Sequence, residues 1–185
     1  MQRRVFLAID LPEEIRTTLG AASQALKTNG VTVVRQDLYH ITLQFIGNAD
    51  EDGIERIKEA MGQAESKAFM VKICGAGFFG AAKIKVIFAE VRKGRAELIQ
   101  LYGKLSSCMD ALEIRYENRR AYTPHVTLAR VKGNADNGYL LSSINALASA
   151  DFGTFEASSI KLKSSTSSDA GIEYSDLYES KLTGL

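Results

Sequence analysis

The sequence predicts one compact α+β unit built on antiparallel strands, with room for two related lobes. Three observations carry that reading. Short β-branched, alternating segments trade places along the chain with segments of helical spacing. Strand segments flank turns in pairs, as antiparallel strands do, and no shift in composition marks a linker. A short phrase also occurs twice: Tyr39-His40-Ile41-Thr42-Leu43 and Pro124-His125-Val126-Thr127-Leu128 share His-x-Thr-Leu, with a β-branched apolar residue at x.

In chain order, Val5 to Ile9 is a continuous apolar run that reads as a central strand. Asp10-Leu11-Pro12-Glu13-Glu14 starts a helix, with proline in the first turn and acids near its positive end. Ile15, Leu19, Ala22 and Leu26 form its apolar face and Asn29-Gly30 closes it. Val31 to Arg35 is a short strand. The first motif strand follows and ends at Phe45-Ile46-Gly47. The acidic stretch from Asn48 caps a second helix carrying Ile54, Ile57 and Met61.

Phe69 to Cys74 is a strand, followed by a glycine-rich turn and a further strand from Ile84 to Val91. Leu98, Leu101, Leu105, Met109 and Leu112 mark a third helix. Beyond the second motif, Asp136-Asn137-Gly138 reads as a turn and Leu140 to Leu147 as a short helix. Phe155 to Lys163 and Ile172 to Leu182 read as closing strands around a serine-rich surface loop, Ser164 to Gly171.

At 185 residues, 45% apolar and 24% charged, the composition is that of an ordinary globular protein. The net charge of +1 provides no overall basic field for non-specific nucleic-acid binding, so an anionic substrate must be held locally. Cys74 and Cys108 have no metal-type spacing and read as free, buried thiols in a reducing compartment. The apolar start resembles a signal peptide only briefly, because Asp10, Glu13, Glu14 and Arg16 interrupt it. With no run of membrane-spanning length, the expectation is a cytoplasmic protein that does not engage a membrane.

On a strand, residues two apart share a face. His40 and Thr42 therefore emerge together while Ile41 and Leu43 are buried, and His125 with Thr127 repeats the arrangement over Val126 and Leu128. The two motifs use both histidines of the chain. One neutral and one protonated imidazole can take a proton from a nucleophile and give one to a leaving oxygen. Help of this kind is typically worth roughly 100- to 10,000-fold per group. Thr42 and Thr127 add hydroxyls able to bind a non-bridging phosphate oxygen. Such a site suits phosphodiester chemistry without a metal or other cofactor.

Competing motifs fail on context. Gly75-Ala76-Gly77-Phe78-Phe79-Gly80 fits G-x-G-x-x-G, but β-patterned Lys83 to Phe88 follows where a dinucleotide site needs a helix. A loop between antiparallel strands is the better reading. Two histidines alone leave zinc short of ligands, and no G-x-S-x-G elbow exists for a serine nucleophile. Further phosphate-binding candidates are Arg130, Lys83, Lys85, Arg119 and Arg120. Strict alternation puts Arg130 on the face opposite His125, and only a bulge or the strand end would turn it inward. Lys83 and Lys85 share a strand face. These two and the arginine pair before the second motif read equally well as solvated surface charge.

Taken together, the chain resembles the 2H phosphoesterase superfamily, and within it the RNA 2′,3′-cyclic phosphodiesterases, also called 2′-5′ RNA ligases. The similarity runs through Arg4 to Pro12, Leu38 to Gly47, Thr123 to Arg130 and the closing Leu162 to Tyr174 segment. The resemblance implies a bilobal fold in a single domain over 1–185. Two pseudo-symmetric antiparallel sheets would form a central cleft, with helices outside. It implies His40 and His125 as the acid–base pair, with Thr42, Thr127 and Arg130 as phosphate ligands and no cofactor. The implied reaction opens a terminal 2′,3′-cyclic phosphate to a 2′-phosphate, and in the ligation sense a 5′-hydroxyl attacks the cyclic phosphate to form a 2′-5′ link.

The family's first histidine is generally drawn protonating the leaving 3′-oxygen, although the symmetry of the motifs leaves the roles open. RNA ends such as those of tRNA halves would be the partners of a monomer. An RNA-end binding module without turnover, and a phosphodiesterase for small cyclic or 2′-5′-linked nucleotides, are the alternatives. The family often carries tryptophan where this chain has Val34 or Arg35, and Phe88, and arginine where it has Lys85.

Overall fold

The computed structural model describes residues 2–117, 121–169 and 171–183. In chain order its elements are β1 (Arg3–Asp10), α1 (Glu13–Ser23), β2 (Val31–Val33), β3 (His40–Ala49), α2 (Glu51–Gln63), β4 (Phe69–Phe79) and β5 (Val86–Lys93). These are followed by α3 (Arg95–Ala111), β6 (His125–Val131), α4 (Asn137–Ala146), β7 (Asp151–Ala157), β8 (Ser159–Ser168) and β9 (Gly171–Lys181).

The strands pair antiparallel in the order β7-β4-β5-β6-β3-β1-β8-β9, with β2 also on β6. The curled sheet divides into two four-stranded halves, β7-β4-β5-β6 and β3-β1-β8-β9. Each half has one His-x-Thr strand as its inner edge. Among the described residues, the ladder between these strands is the single pair Ile41↔Val126. The two expected pseudo-symmetric sheets are thus joined edge to edge by their motif strands.

Alternation sorts the faces. Val5, Leu7 and Ile9 of β1, Ile41 and Leu43 of β3, and Val126 and Leu128 of β6 are buried in the hydrophobic core. The same core takes Ile15 and Leu19 of α1, Ile54, Ile57 and Met61 of α2, and Leu98, Leu101, Leu105 and Met109 of α3. The helical periodicity read from the sequence is therefore the set of residues that packs on the sheet. Asp50 caps α2 by accepting from the Gly53 amide, and Asp136 caps α4 by accepting from Gly138 and Tyr139. Among the described residues, no helix is long and apolar enough to cross a membrane.

Several local expectations change. Pro12 is the N-cap of α1, one position before its first turn. Asp136-Asn137-Gly138 is the start of α4, because an N-cap aspartate and a turn use the same side chain. The glycine-rich stretch is no loop: β4 runs through Gly75 and Gly77 to Phe79. Gly75 takes the left-handed φ of 83°, at a break in the regular pairing of β4 with β5. A Cβ on Gly77 would lie 2.9 Å from the Phe88 ring, so glycine there makes room for that ring.

The single strand expected over Phe155 to Lys163 is two, divided at Ser158. Ser164 to Ser168 belongs to β8 and pairs with β9, because ladder hydrogen bonds override a polar, loop-like composition. Cys74 and Cys108 are free but only half-buried.

Candidate active site

His40 and His125 open their strands and stand half-buried on the face away from the helices. Each ring is fixed in the same way. His40 Nδ1 lies 2.7 Å from the Leu38 carbonyl, and His125 Nδ1 lies 2.7 Å from the Thr123 carbonyl. A carbonyl only accepts, so each Nδ1 carries a hydrogen and Nε2 is the basic nitrogen of the neutral ring. The Thr42 hydroxyl, 2.8 Å from His40 Nε2, then donates to it. Extending the antiparallel register by one residue from Ile41↔Val126 sets His40 opposite Thr127 and Thr42 opposite His125. The two imidazole–hydroxyl pairs cross at the seam.

Aromatic rings bracket both imidazoles. Phe6 and Tyr174 have centroids 5.1 and 5.3 Å from His40, while Phe79 and Phe88 lie 4.9 and 5.2 Å from His125. Desolvation is the main reason that the His40 pKa falls from 6.5 to about 4. Lys163 and His125 push in the same direction, against the Leu38 carbonyl and Asp10. His40 is therefore neutral at pH 7.

Beside His40, Lys161 and Lys163 form a closed square with Asp10 and Asp176. Lys163 Nζ lies 3.0 Å from Asp10 and 2.5 Å from Asp176, and Lys161 Nζ lies 3.1 and 2.6 Å from the same carboxylates. The square cancels its own charge at close range, so these lysines are committed to carboxylates. A cavity of about 280 Å³ opens here, lined in part by Arg35, His40, Lys163, Glu173 and Tyr174. It lies on the His40 side of the face.

Arg130 reaches the site face through a bulge. In the β5–β6 ladder Phe88 pairs with Thr127 and Ile87 with Ala129, so Leu128 is an extra residue on β6. Leu128 and Ala129 are consecutively buried, and the next side chain, Arg130, returns to the exposed face. There its charge acts on the Tyr174 phenol, opposing the rise that burial causes. Of the two routes inward that the sequence reading allows, a bulge or the strand end, the structure has the bulge.

The first motif strand has the same device. Leu7 pairs with Gln44 and Ala8 with Thr42, leaving Leu43 extra, and Leu43 and Gln44 are both buried. The residue brought to the face is Phe45, 6.0 Å from Phe6 between ring centroids.

Lys83 and Lys85 do not share a strand face: both are exposed in the turn before β5, which starts at Val86. Arg119 and Arg120 lie outside the described residues. Among the described residues, no three His, Cys, Asp or Glu side chains gather as a metal site. Sequence reasoning did not single out Phe6, Phe79 or Tyr122. The parity of Phe6 with Ala8 and Asp10 on β1 was a usable signal for the first.

Two histidines on facing strands, each with a threonine two residues on, define a class. The model of the 2′-5′ RNA ligase superfamily matches residues 11–164, and the chain belongs to that family, a branch of the 2H phosphoesterases. It is 30% identical over 176 residues to the RNA 2′,3′-cyclic phosphodiesterase of Methanocaldococcus jannaschii, covering 95% of this chain and 99% of that protein. The protein of the same name from Thermotoga maritima is 29% identical, covering 98% and 96%. In fold, the chain is similar to E. coli LigT complexed with 3′-AMP (TM-score 0.83, 23% identity, 99% of both chains). It is also similar to TT0787 of Thermus thermophilus (TM-score 0.82, 24% identity, 98% of both chains).

Proposed function

We propose that this enzyme hydrolyses RNA 2′,3′-cyclic phosphate ends to 2′-phosphates, using His40 and His125 as an acid–base pair and no metal. The observation that carries the reading is the crossing of two imidazole–hydroxyl pairs at one seam, each imidazole with its Nδ1 hydrogen committed to a carbonyl. The names of its curated relatives agree with it. Water attacks phosphorus and gives its proton to one Nε2. The bond from phosphorus to the 3′-oxygen breaks, and the other imidazolium protonates that oxygen. Thr42, Thr127 and Arg130 hold the non-bridging oxygens. With a 5′-hydroxyl in place of water as the nucleophile on the cyclic phosphate, the same site forms a 2′-5′ link as the 3′-oxygen leaves. RNA ends such as those of tRNA halves fit the role of substrate for a cytoplasmic monomer.

Burial keeps the His40 imidazole neutral and so able to accept a proton, which supports it as the base. This is the reverse of the role that the resemblance implies for the first histidine. The deciding experiment is turnover of an RNA ending in a 2′,3′-cyclic phosphate, with and without EDTA. His40→Ala and His125→Ala should each abolish turnover in a folded protein, and chelation should leave wild-type activity intact. Binding without product in the wild type would instead favour an RNA-end binding module. In kcat/KM, an acidic limb near pH 4 should belong to His40. An acidic limb well above pH 4 would return the base role to His125.

A further inference from the structure

We propose that Tyr122 is a positioning residue that holds the two histidine motifs in register with each other. The halves of the sheet need such a device. Their motif strands share the single described pair Ile41↔Val126, and Pro124 has no N–H to extend the ladder towards the start of β6. The carbonyl of Thr42 accepts a bond from a side chain of the opposite half. Tyr122 Oη donates to it at 2.9 Å across 80 positions of sequence.

The phenol is itself fixed. Its ring stacks on Tyr102 of α3, with centroids 4.4 Å apart and planes within 6°, a placement that favours one ring orientation. The next residue, Thr123, supplies the carbonyl that receives His125 Nδ1–H at 2.7 Å. Thr42, at the other end of the phenol's bond, donates its hydroxyl to His40 Nε2 at 2.8 Å. The path from one imidazole to the other is therefore short. It runs from His40 to the Thr42 hydroxyl and backbone, to Tyr122 Oη, and along one peptide to Thr123 and His125. A second tie from the preceding segment, the Glu117 amide to the Phe45 carbonyl at 2.8 Å, pins the same stretch to β3 without touching either motif's hydrogen bonds.

Tyr122 acts through other residues, so its effect must appear as geometry. The kinetic arm of the test rests on the proposed hydrolysis; the spectroscopic arm does not. Tyr122→Phe keeps the ring stacked on Tyr102 and removes the hydroxyl that bonds the Thr42 carbonyl. In that variant kcat on a cyclic-phosphate RNA end should fall about 10- to 100-fold, because misplaced acid–base groups lose most in the transition state. KM should change less than about threefold, the phosphate ligands being intact, and the thermal midpoint should drop by no more than about 4 °C.

Because the chain has two histidines, their imidazole ¹⁵N signals can be assigned by single substitution. Both sets should move in Tyr122→Phe, while signals from the α1 and α4 core stay in place. Tyr122→Leu, which also loses the stack, should exceed Tyr122→Phe in both readouts. Unchanged kcat, unmoved imidazole signals, or a loss of activity that merely follows the unfolded fraction would each overturn the proposal. A wild-type protein without turnover would sink the hydrolase reading, and the imidazole signals would then decide on Tyr122 alone.

Discussion

Ile41 pairs with Val126, and among the described residues that pair alone joins the two motif strands of the sheet. Both side chains are fully buried. Truncating one leaves a cavity under the seam, with neighbours on both halves that cannot collapse independently. Ile41→Ala should cost about 2–5 kcal/mol in urea unfolding. Hydrolysis per folded molecule should also fall, since the same pair aligns His40 with Thr127. Full activity in the folded fraction would mean that alignment is set elsewhere.

The low pKa of His40 has a consequence for stability. Its folded value is about 4, below the ~6.5 of an unfolded chain. Between these values the unfolded state binds the extra proton, so stability falls as pH drops through that window and levels off below it. The loss attributable to His40 is roughly 3 kcal/mol. Carboxylates titrate nearby, so the measurement is a difference: wild-type and His40→Gln unfolding at pH 7 and pH 4. Wild type should lose more on acidification, and equal losses would show that the ring titrates near its ordinary value.

Arg130 owes its place on the cleft face to the Leu128 bulge. Arg130→Ala should raise KM for a cyclic-phosphate end about 10-fold or more, the worth of a charge-assisted contact of roughly 1.5–3 kcal/mol. Arg130→Lys should restore only part of it, because a single ammonium lacks the planar fork. Deleting Leu128 should resemble Arg130→Ala in KM, by sending the guanidinium to the other face. A normal KM in Arg130→Ala removes it from the site.

Gly77 tests the bracket around His125. A Cβ there meets the Phe88 ring at 2.9 Å, and that ring is held between Phe79 and His125. Gly77→Ala should therefore cost about 1–3 kcal/mol and displace the His125 imidazole, visible as a shift of its ¹⁵N signals with those of His40 unmoved. An unshifted His125 would show that Phe88 yields in another direction.

The candidate site residues were legible because their pattern is local. Period-two alternation put His40 with Thr42 and His125 with Thr127 on one face, and the structure keeps them there. Arg130 was undecidable by the same rule, since one unpaired residue inverts parity and nothing in Leu128-Ala129 announces it. The glycines at 75 and 77 read as a loop because what each makes room for, the Ala148 carbonyl and the Phe88 ring, lies on another segment of the chain. Ser164 to Ser168 read as a loop because pairing with β9 is a tertiary fact. Tyr122 was invisible for a similar reason: its partner is a carbonyl in the other half of the sheet. What the sequence conceals throughout is contact between segments far apart in the chain.

The matched bulges bear on direction. A cleft with true two-fold symmetry would accept a ligand equally well in two opposed orientations, and its histidines would exchange roles from one turnover to the next. Both bulged strands turn the fifth residue after the histidine onto the cleft face. One half presents Phe45 there, and the other presents Arg130. An aromatic ring at one end and a cation at the other give the cleft a head and a tail. That difference makes one binding orientation lower in energy than its mirror, and under the proposed mechanism it would fix one assignment of acid and base.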